Sequence, residues 1–291
     1  MAKLKVAELF YSIQGEGRYM GVPSVFLRIF GCNFKCEGFG MARGEKSEEY
    51  LKVDPVKYKT YNELPLVSTG CDSYASWDPR FKHLSPVLDT DSVADAIVDT
   101  LPHKKWVDEH LVITGGEPLL GWQRAYPDLL TDPKMDSLKE ITFETNGTQP
   151  LTEDFKKYLT EWVNRSYSSY LHGLCDRSPQ SITFSVSPKL SCSGEPRDKA
   201  IRPEIVVEYE KVGHTYLKFV VATKEDVDEA LETILTYRNA GFEGNVYLMP
   251  VGGVETVYSL NNKRVAELAM KHGLRYSDRL QVPLFKNAWG T

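Results

Sequence analysis

Residues 24–36 read SVFLRIFGCNFKC: an apolar run, a glycine at Gly31, then Cys32 and Cys36 with three residues between them. The β-branched and aromatic content of Ser24–Phe30 predicts a strand, and the glycine lets the chain turn sharply as it leaves. The same grammar recurs in HLVITGG (His110–Gly116), EITFETN (Glu140–Asn146), SITFSVS (Ser181–Ser187), TYLKFVVA (Thr215–Ala222) and NVYLMPV (Asn245–Val251). Helical periods lie between several of these runs. DSVADAIVDTL (Asp91–Leu101) places Val93, Ala96, Ile97 and Leu101 on one face behind an Asp91 cap. Lys224–Gly241 and Asn261–Gly273 repeat apolar residues at helical spacing, and each ends on a glycine.

Strands alternating with helices predict an α/β fold of parallel strands joined by right-handed crossovers, either a partial (β/α) barrel or an open sheet. In both, the chemistry gathers at the C-terminal ends of the strands. The informative residues sit there: Gly31–Cys32, Gly115-Gly116-Glu117-Pro118, Asn146-Gly147 and Ser187-Pro188-Lys189. Two stretches interrupt the pattern, Glu37–Gly70 and Leu159–Asp176, both polar and without a clear period. Such long loops are uncommon inside compact domains. We read them as insertions, at about 37–70 and 159–176, in a single domain over residues 1–291.

Hydrophobic residues make up 42% and charged residues 26%, the balance of an ordinary globular protein. The net charge of −5 argues against a surface that grips nucleic acid through phosphates. No apolar run approaches the roughly 20 residues that span a bilayer. The N-terminal MAKLKVAELFYS lacks the apolar core of a secretory signal, so the expectation is a cytoplasmic protein. Five cysteines without an export signal are reduced thiols or ligands rather than a disulfide framework.

Cys32 and Cys36 follow a strand, and Cys71 appears later in STGCDSYASW. Three thiolates on a 4Fe–4S cluster leave the fourth iron open to a substrate or cofactor. The competing zinc site needs four N or S ligands at closer paired spacing, and would make the chain an interaction module. Cys175 and Cys192 read as ordinary thiols, with Cys192 in reserve should Cys71 fail.

ELFYSIQGEG, then GVPSVFLRIFGCN, TGGEPLL, ETNGT and SPKLS occur in that order from Glu8 onward. In this combination the chain resembles the 7-carboxy-7-deazaguanine synthases, a radical S-adenosylmethionine family, over most of its length. The common pattern in that superfamily is CxxxCxxC, whose third cysteine would fall at Phe39; the tail of the motif reappears as Gly70-Cys71-Asp72-Ser73. An insertion at Glu37–Gly70 separating the second and third ligands accounts for this. Its loop-closure cost is only about 2.5 kcal/mol by the logarithmic law, against metal–thiolate binding on the order of 10 kcal/mol.

The resemblance implies a partial barrel of the radical S-adenosylmethionine type, with a 4Fe–4S cluster on Cys32, Cys36 and Cys71. It implies S-adenosylmethionine against Gly115, Gly116, Glu117, Glu144, Ser187 and Lys189, and Mg²⁺ at Ser73, where the family often has Thr. Gln14 and Glu16 would meet the edge of a pterin and Arg28 its carboxylate, with a structural Asp or Glu partner as the alternative for Arg28. The implied reaction cleaves S-adenosylmethionine to a 5′-deoxyadenosyl radical. That radical takes a hydrogen from 6-carboxy-5,6,7,8-tetrahydropterin, whose ring contracts with loss of ammonia to give 7-carboxy-7-deazaguanine. An electron donor such as flavodoxin or ferredoxin is implied, and a homodimer is compatible with it. A glycyl-radical-activating enzyme of the same superfamily is the second reading. The family's C-terminal His is missing: Pro283 stands about where it belongs.

Overall fold

The structure, a computed structural model, describes residues 2–171 and 180–291. Among these, nine strands form one sheet: β1 (Lys3–Ile13), β2 (Pro23–Ile29), β3 (Val87–Asp89), β4 (His110–Gly115), β5 (Glu140–Thr145), β6 (Ser181–Val186), β7 (His214–Val221), β8 (Val246–Pro250) and β9 (Arg275–Tyr276). Their order is β3-β1-β2-β4-β5-β6-β7-β8-β9, an open α/β sheet. All six expected strands form, each within a residue of its expected ends.

From β2 through β9 every pairing is parallel. The expectation of parallel strands fails at the other edge, where β1 runs antiparallel to both β2 and β3. Sequence pattern hides β1 because its register slips between Val6 and Glu8. A bulge there breaks the alternation that marks a half-buried strand.

Leu27, Ile113, Phe143 and Phe184 pair in register across β2, β4, β5 and β6 and are fully buried. Helices cover this face: Tyr126 and Phe155 pack on Phe143 with ring centroids 5.6 and 5.8 Å away. Each such side chain contributes roughly 1.5–3 kcal/mol through burial. One residue further along each strand, side chains point to the opposite face. There Glu8 pairs with Arg28 and Arg28 with Thr114, while Glu144 pairs with Ser185 and Ser185 with Tyr216. A polar row thus crosses the sheet opposite the core.

Three helical expectations need correction. The first helix spans Thr90–Thr100, and its cap is Asp89, whose carboxylate accepts the Ser92 N–H at 2.9 Å. The cap lies two residues before the expected Asp91, and the buried face uses Ala94, with Ala96 only half-buried. Residues 159–171, expected as irregular loop, continue the helix Glu153–Leu171; Cys175 lies outside the described residues. The last long helix begins at Glu255, well before Asn261.

The stretch 37–70 is also less irregular than its composition suggests. It contains three short 3-10 turns, and its Tyr50, Val53, Tyr61, Leu64 and Val67 cluster with Tyr74, Trp77 and Phe81. Its ends meet, since Gly70 donates its N–H to the Phe39 carbonyl at 2.7 Å. Among the described residues no helix is long and apolar enough to cross a membrane.

Candidate active site

The polar row and the loops at the strand ends enclose a cavity of about 270 Å³. Cys32, Cys36, Cys71 and Ser73 line it, as do Gln14, Glu16, Arg28, Gly115, Gly116, Glu144, Ser187 and Lys189. Of the expected site residues, only Glu117 is elsewhere. Its fully buried carboxylate accepts from Leu119 N–H (3.0 Å), Thr145 Oγ1 (2.8 Å) and Asn146 N–H (2.7 Å). It therefore ties the β4 turn to the end of β5, and its neighbours Gly115 and Gly116 face the cavity. Burial pushes its carboxyl up to about 6, against the pull of those hydrogen bonds.

The three thiols come from different segments and reach the cavity for different reasons. Cys32 leaves β2 through Gly31, whose φ of +117° suits only glycine. Its sulfur accepts the Phe34 N–H at 3.4 Å. Cys36 sits at φ +53°, a left-handed conformation uncommon for a side-chain-bearing residue. Cys71 follows Gly70, whose bond to Phe39 brings it to where the uninterrupted motif would place a third thiol. Burial pushes Cys32 up to about 12 and raises Cys36 and Cys71, while the Lys189 ammonium opposes the shift at Cys32 and Cys36.

Among the described residues no three His, Cys, Asp or Glu side chains stand close enough to share one metal ion. A four-iron cube spreads its thiolates over three different irons, and Cys32, Cys36 and Cys71, lining one cavity from three separate segments, are a donor set of that kind.

Arg28 has found an acidic partner inside the fold: its Nε lies 2.7 Å from Glu8 Oε2. The alternative weighed for Arg28 is thus present, yet only the Nε edge is taken and the residue still lines the cavity. Glu16 is more deeply engaged than expected. Lys218 donates to one of its oxygens, and Arg279 (3.1 Å) and Gln281 (2.8 Å) donate to the other. Burial alone would raise the Glu16 carboxyl, but the two cations hold it well below the usual carboxylate range. Arg279 also reaches Asp72 at 2.6 Å, and Gln14 donates to Glu144 at 3.1 Å. The segment from Gln14 to Glu16 is thereby tied to β5, β7 and the chain after β9.

Sequence reasoning missed Glu8, Lys218, Arg279 and Gln281. Lys218 was findable, being a lone cation in the apolar strand run TYLKFVVA, as Arg28 is in its own. Pro283 is exposed and does not line the cavity. Residues 287–291 do, with Trp289 anchored 5.5 Å from Tyr61 and 5.6 Å from Tyr74.

An open, mostly parallel α/β sheet carrying three thiols and a glycine-rich strand end around one polar cavity defines the class of radical S-adenosylmethionine enzymes. A 7-carboxy-7-deazaguanine synthase of Halobacterium salinarum is 30% identical over 298 residues, covering 98% of this chain and 91% of that protein. The chain belongs to the 7-carboxy-7-deazaguanine synthase family, radical S-adenosylmethionine lyases of queuosine-type biosynthesis. A synthase of the same name from Pyrobaculum aerophilum is 25% identical over 288 residues, covering 99% of this chain and 97% of that protein. The crystal structure of QueE from Escherichia coli shares the fold, with a TM-score of 0.53 at 19% identity over 94% of this chain and 93% of that one. No family model matches the chain.

Proposed function

We propose that this chain converts 6-carboxy-5,6,7,8-tetrahydropterin to 7-carboxy-7-deazaguanine with loss of ammonia, in the cytoplasm, as one domain interrupted at 37–70. The observation that carries this reading is the convergence of Cys32, Cys36 and Cys71 with Gln14, Glu16, Arg28 and Glu144 on one cavity. In this reading the three thiolates hold a 4Fe–4S cluster, and Gly115, Gly116, Glu144, Ser187 and Lys189 hold S-adenosylmethionine. When bound, these two groups supply hydrogen-atom abstraction, fed by an electron donor such as flavodoxin or ferredoxin. The chain's own task is orientation and exclusion of water. Arg28 offers the guanidinium nitrogens left free by Glu8 to the substrate carboxylate. Glu16, held ionised, keeps an acceptor available to a pterin N–H edge. The test is anaerobic incubation with reductant, S-adenosylmethionine and the tetrahydropterin. A product of the mass of 7-carboxy-7-deazaguanine is expected; unchanged pterin with an intact cluster sinks the substrate assignment.

Arg28→Lys keeps the charge and loses the planar fork, so substrate binding should weaken by about 1–3 kcal/mol. Titrating substrate and cofactor separately checks this, because cofactor binding should not move. Equal substrate affinity would leave Arg28 as the partner of Glu8 alone.

Ser73 carries the Mg²⁺ part of the reading. Its hydroxyl lines the cavity 3.4 Å from Cys71 Sγ, and Asp72 is engaged with Arg279. Mg²⁺ takes few protein oxygens besides water and substrate, so one hydroxyl suffices. Ser73→Ala should raise the Mg²⁺ concentration needed for turnover while S-adenosylmethionine binding stays nearly constant. Equal rates for both proteins in excess chelator would remove Mg²⁺ from the account.

A further inference from the structure

Cys36 is held at φ +53°, a conformation that persists in a side-chain-bearing residue only when its surroundings enforce it. The residue that holds it is distant in sequence but adjacent in space. Glu195 Oε1 accepts the Lys35 N–H at 2.8 Å and the Cys36 N–H at 2.7 Å, across about 160 residues of chain. Glu195 lies in a tight turn after β6 whose own geometry is fixed. Gly194 closes it at φ +80°, and Ser193 Oγ accepts the Glu195 N–H at 3.2 Å. The turn is pressed against the thiol loop: Gly38 donates to the Ser193 carbonyl at 2.9 Å. A Cβ added to Gly38 would stand 2.6 Å from Gly194 N, so the two backbones touch without intervening side chains.

We propose that Glu195 is the positioning residue for Cys36, fixing its backbone in the ligating conformation and placing a carboxylate charge beside the cluster. The proposal rests on the reading that Cys36 ligates a 4Fe–4S cluster. The Lys35 N–H lies at the surface, but Cys36 is buried and its part-buried N–H has Glu195 as its acceptor, so losing this carboxylate strands that donor and loosens the Cys36 turn. An anion one hydrogen bond from a ligand's backbone also disfavours adding an electron to the cluster, which lowers its potential.

Two substitutions separate these effects, made in the full chain, reconstituted anaerobically and compared with Cys36→Ala. Glu195→Ala removes the acceptor and should release iron to a chelator about tenfold faster or more, the usual scale for an outer partner of a metal ligand. Glu195→Gln keeps a carbonyl acceptor and loses the charge. It should restore wild-type iron retention and shift the midpoint potential, followed by redox titration of the cluster's spectroscopic signal, to a more positive value. Wild-type iron retention in Glu195→Ala overturns the positioning role, and an unchanged potential in Glu195→Gln overturns the charge. If Glu195→Ala is too unstable to purify, Glu195→Gln alone decides: loss of iron retention there refutes the acceptor argument. Full iron in Cys36→Ala would instead fault the ligand reading beneath the proposal.

Discussion

Cys32→Ala, Cys36→Ala and Cys71→Ala should each abolish both the brown chromophore and all turnover, while Cys192→Ala keeps both. Each of the first three removes one of the three thiols that line the cavity, and a cube with two protein ligands is not retained. Cys71 is the decisive member, because 34 residues separate it from Cys36 in sequence. Its placement depends on the closed base of the 37–70 stretch. There Gly70 bonds Phe39, and Glu49 Oε2 accepts four donors: the N–H and hydroxyl of Ser68 (2.9 Å each), Thr69 N–H (2.9 Å) and Thr69 Oγ1 (3.0 Å). Cys192 donates to the Val220 carbonyl at 3.6 Å and packs against the main core, away from the cavity lining. Iron and sulfide analysis after anaerobic purification reads the outcome. A full iron complement in Cys71→Ala would show that the interrupted motif does not close where the fold brings it.

The parts of this arrangement that could be read in advance share a physical signature, a strand ending in a small residue. The apolar runs marked β2 and β4 through β8 because these strands are buried nearly throughout and most of the runs end at a small or polar residue. The strand ends pointed to Cys32, Gly115 and Ser187, and the family resemblance to Glu144; all four line the cavity. Three things escaped. The bulge at Val6/Glu8 erased the period of β1, and with it the partner of Arg28. Short 3-10 turns have no period long enough to recognise, so the packed stretch 37–70 read as loop. Partnerships across the fold, such as Glu195 with Cys36 and Arg279 with Asp72, depend on strand order, which a single sequence does not encode locally.

Lys218→Met should destabilise the protein by about 3–5 kcal/mol at neutral pH, the scale of breaking a buried ion pair from one side. Lys218 is 4% exposed and sits in β7 with Glu16 as its anion. Methionine fills similar volume, so the loss comes from Glu16, which keeps its charge with Arg279 as its remaining cation. The pH dependence identifies this cause. In the wild type the Glu16 carboxyl lies below its ordinary value of 4.5, so its contribution is complete above that value and fades as pH falls below it. Burial lowers Lys218, but the Glu16 and Glu144 carboxylates more than offset it and hold the ammonium above its ordinary 10.5, so its contribution fades only on the alkaline side. Wild-type stability from this pair is therefore flat through neutrality. Without Lys218, burial acts on Glu16 against a single cation and its carboxyl rises; protonation then relieves the stranded charge as pH falls. Thermal unfolding should show a gap between wild type and Lys218→Met that narrows from pH 8 to pH 5. A second substitution, Glu16→Gln in the Lys218→Met background, should recover part of the loss at pH 8, because the two effects are coupled. A gap that stays constant with pH, or two losses that simply add, would mean that Lys218 stabilises the fold by packing and not by holding Glu16 as an anion.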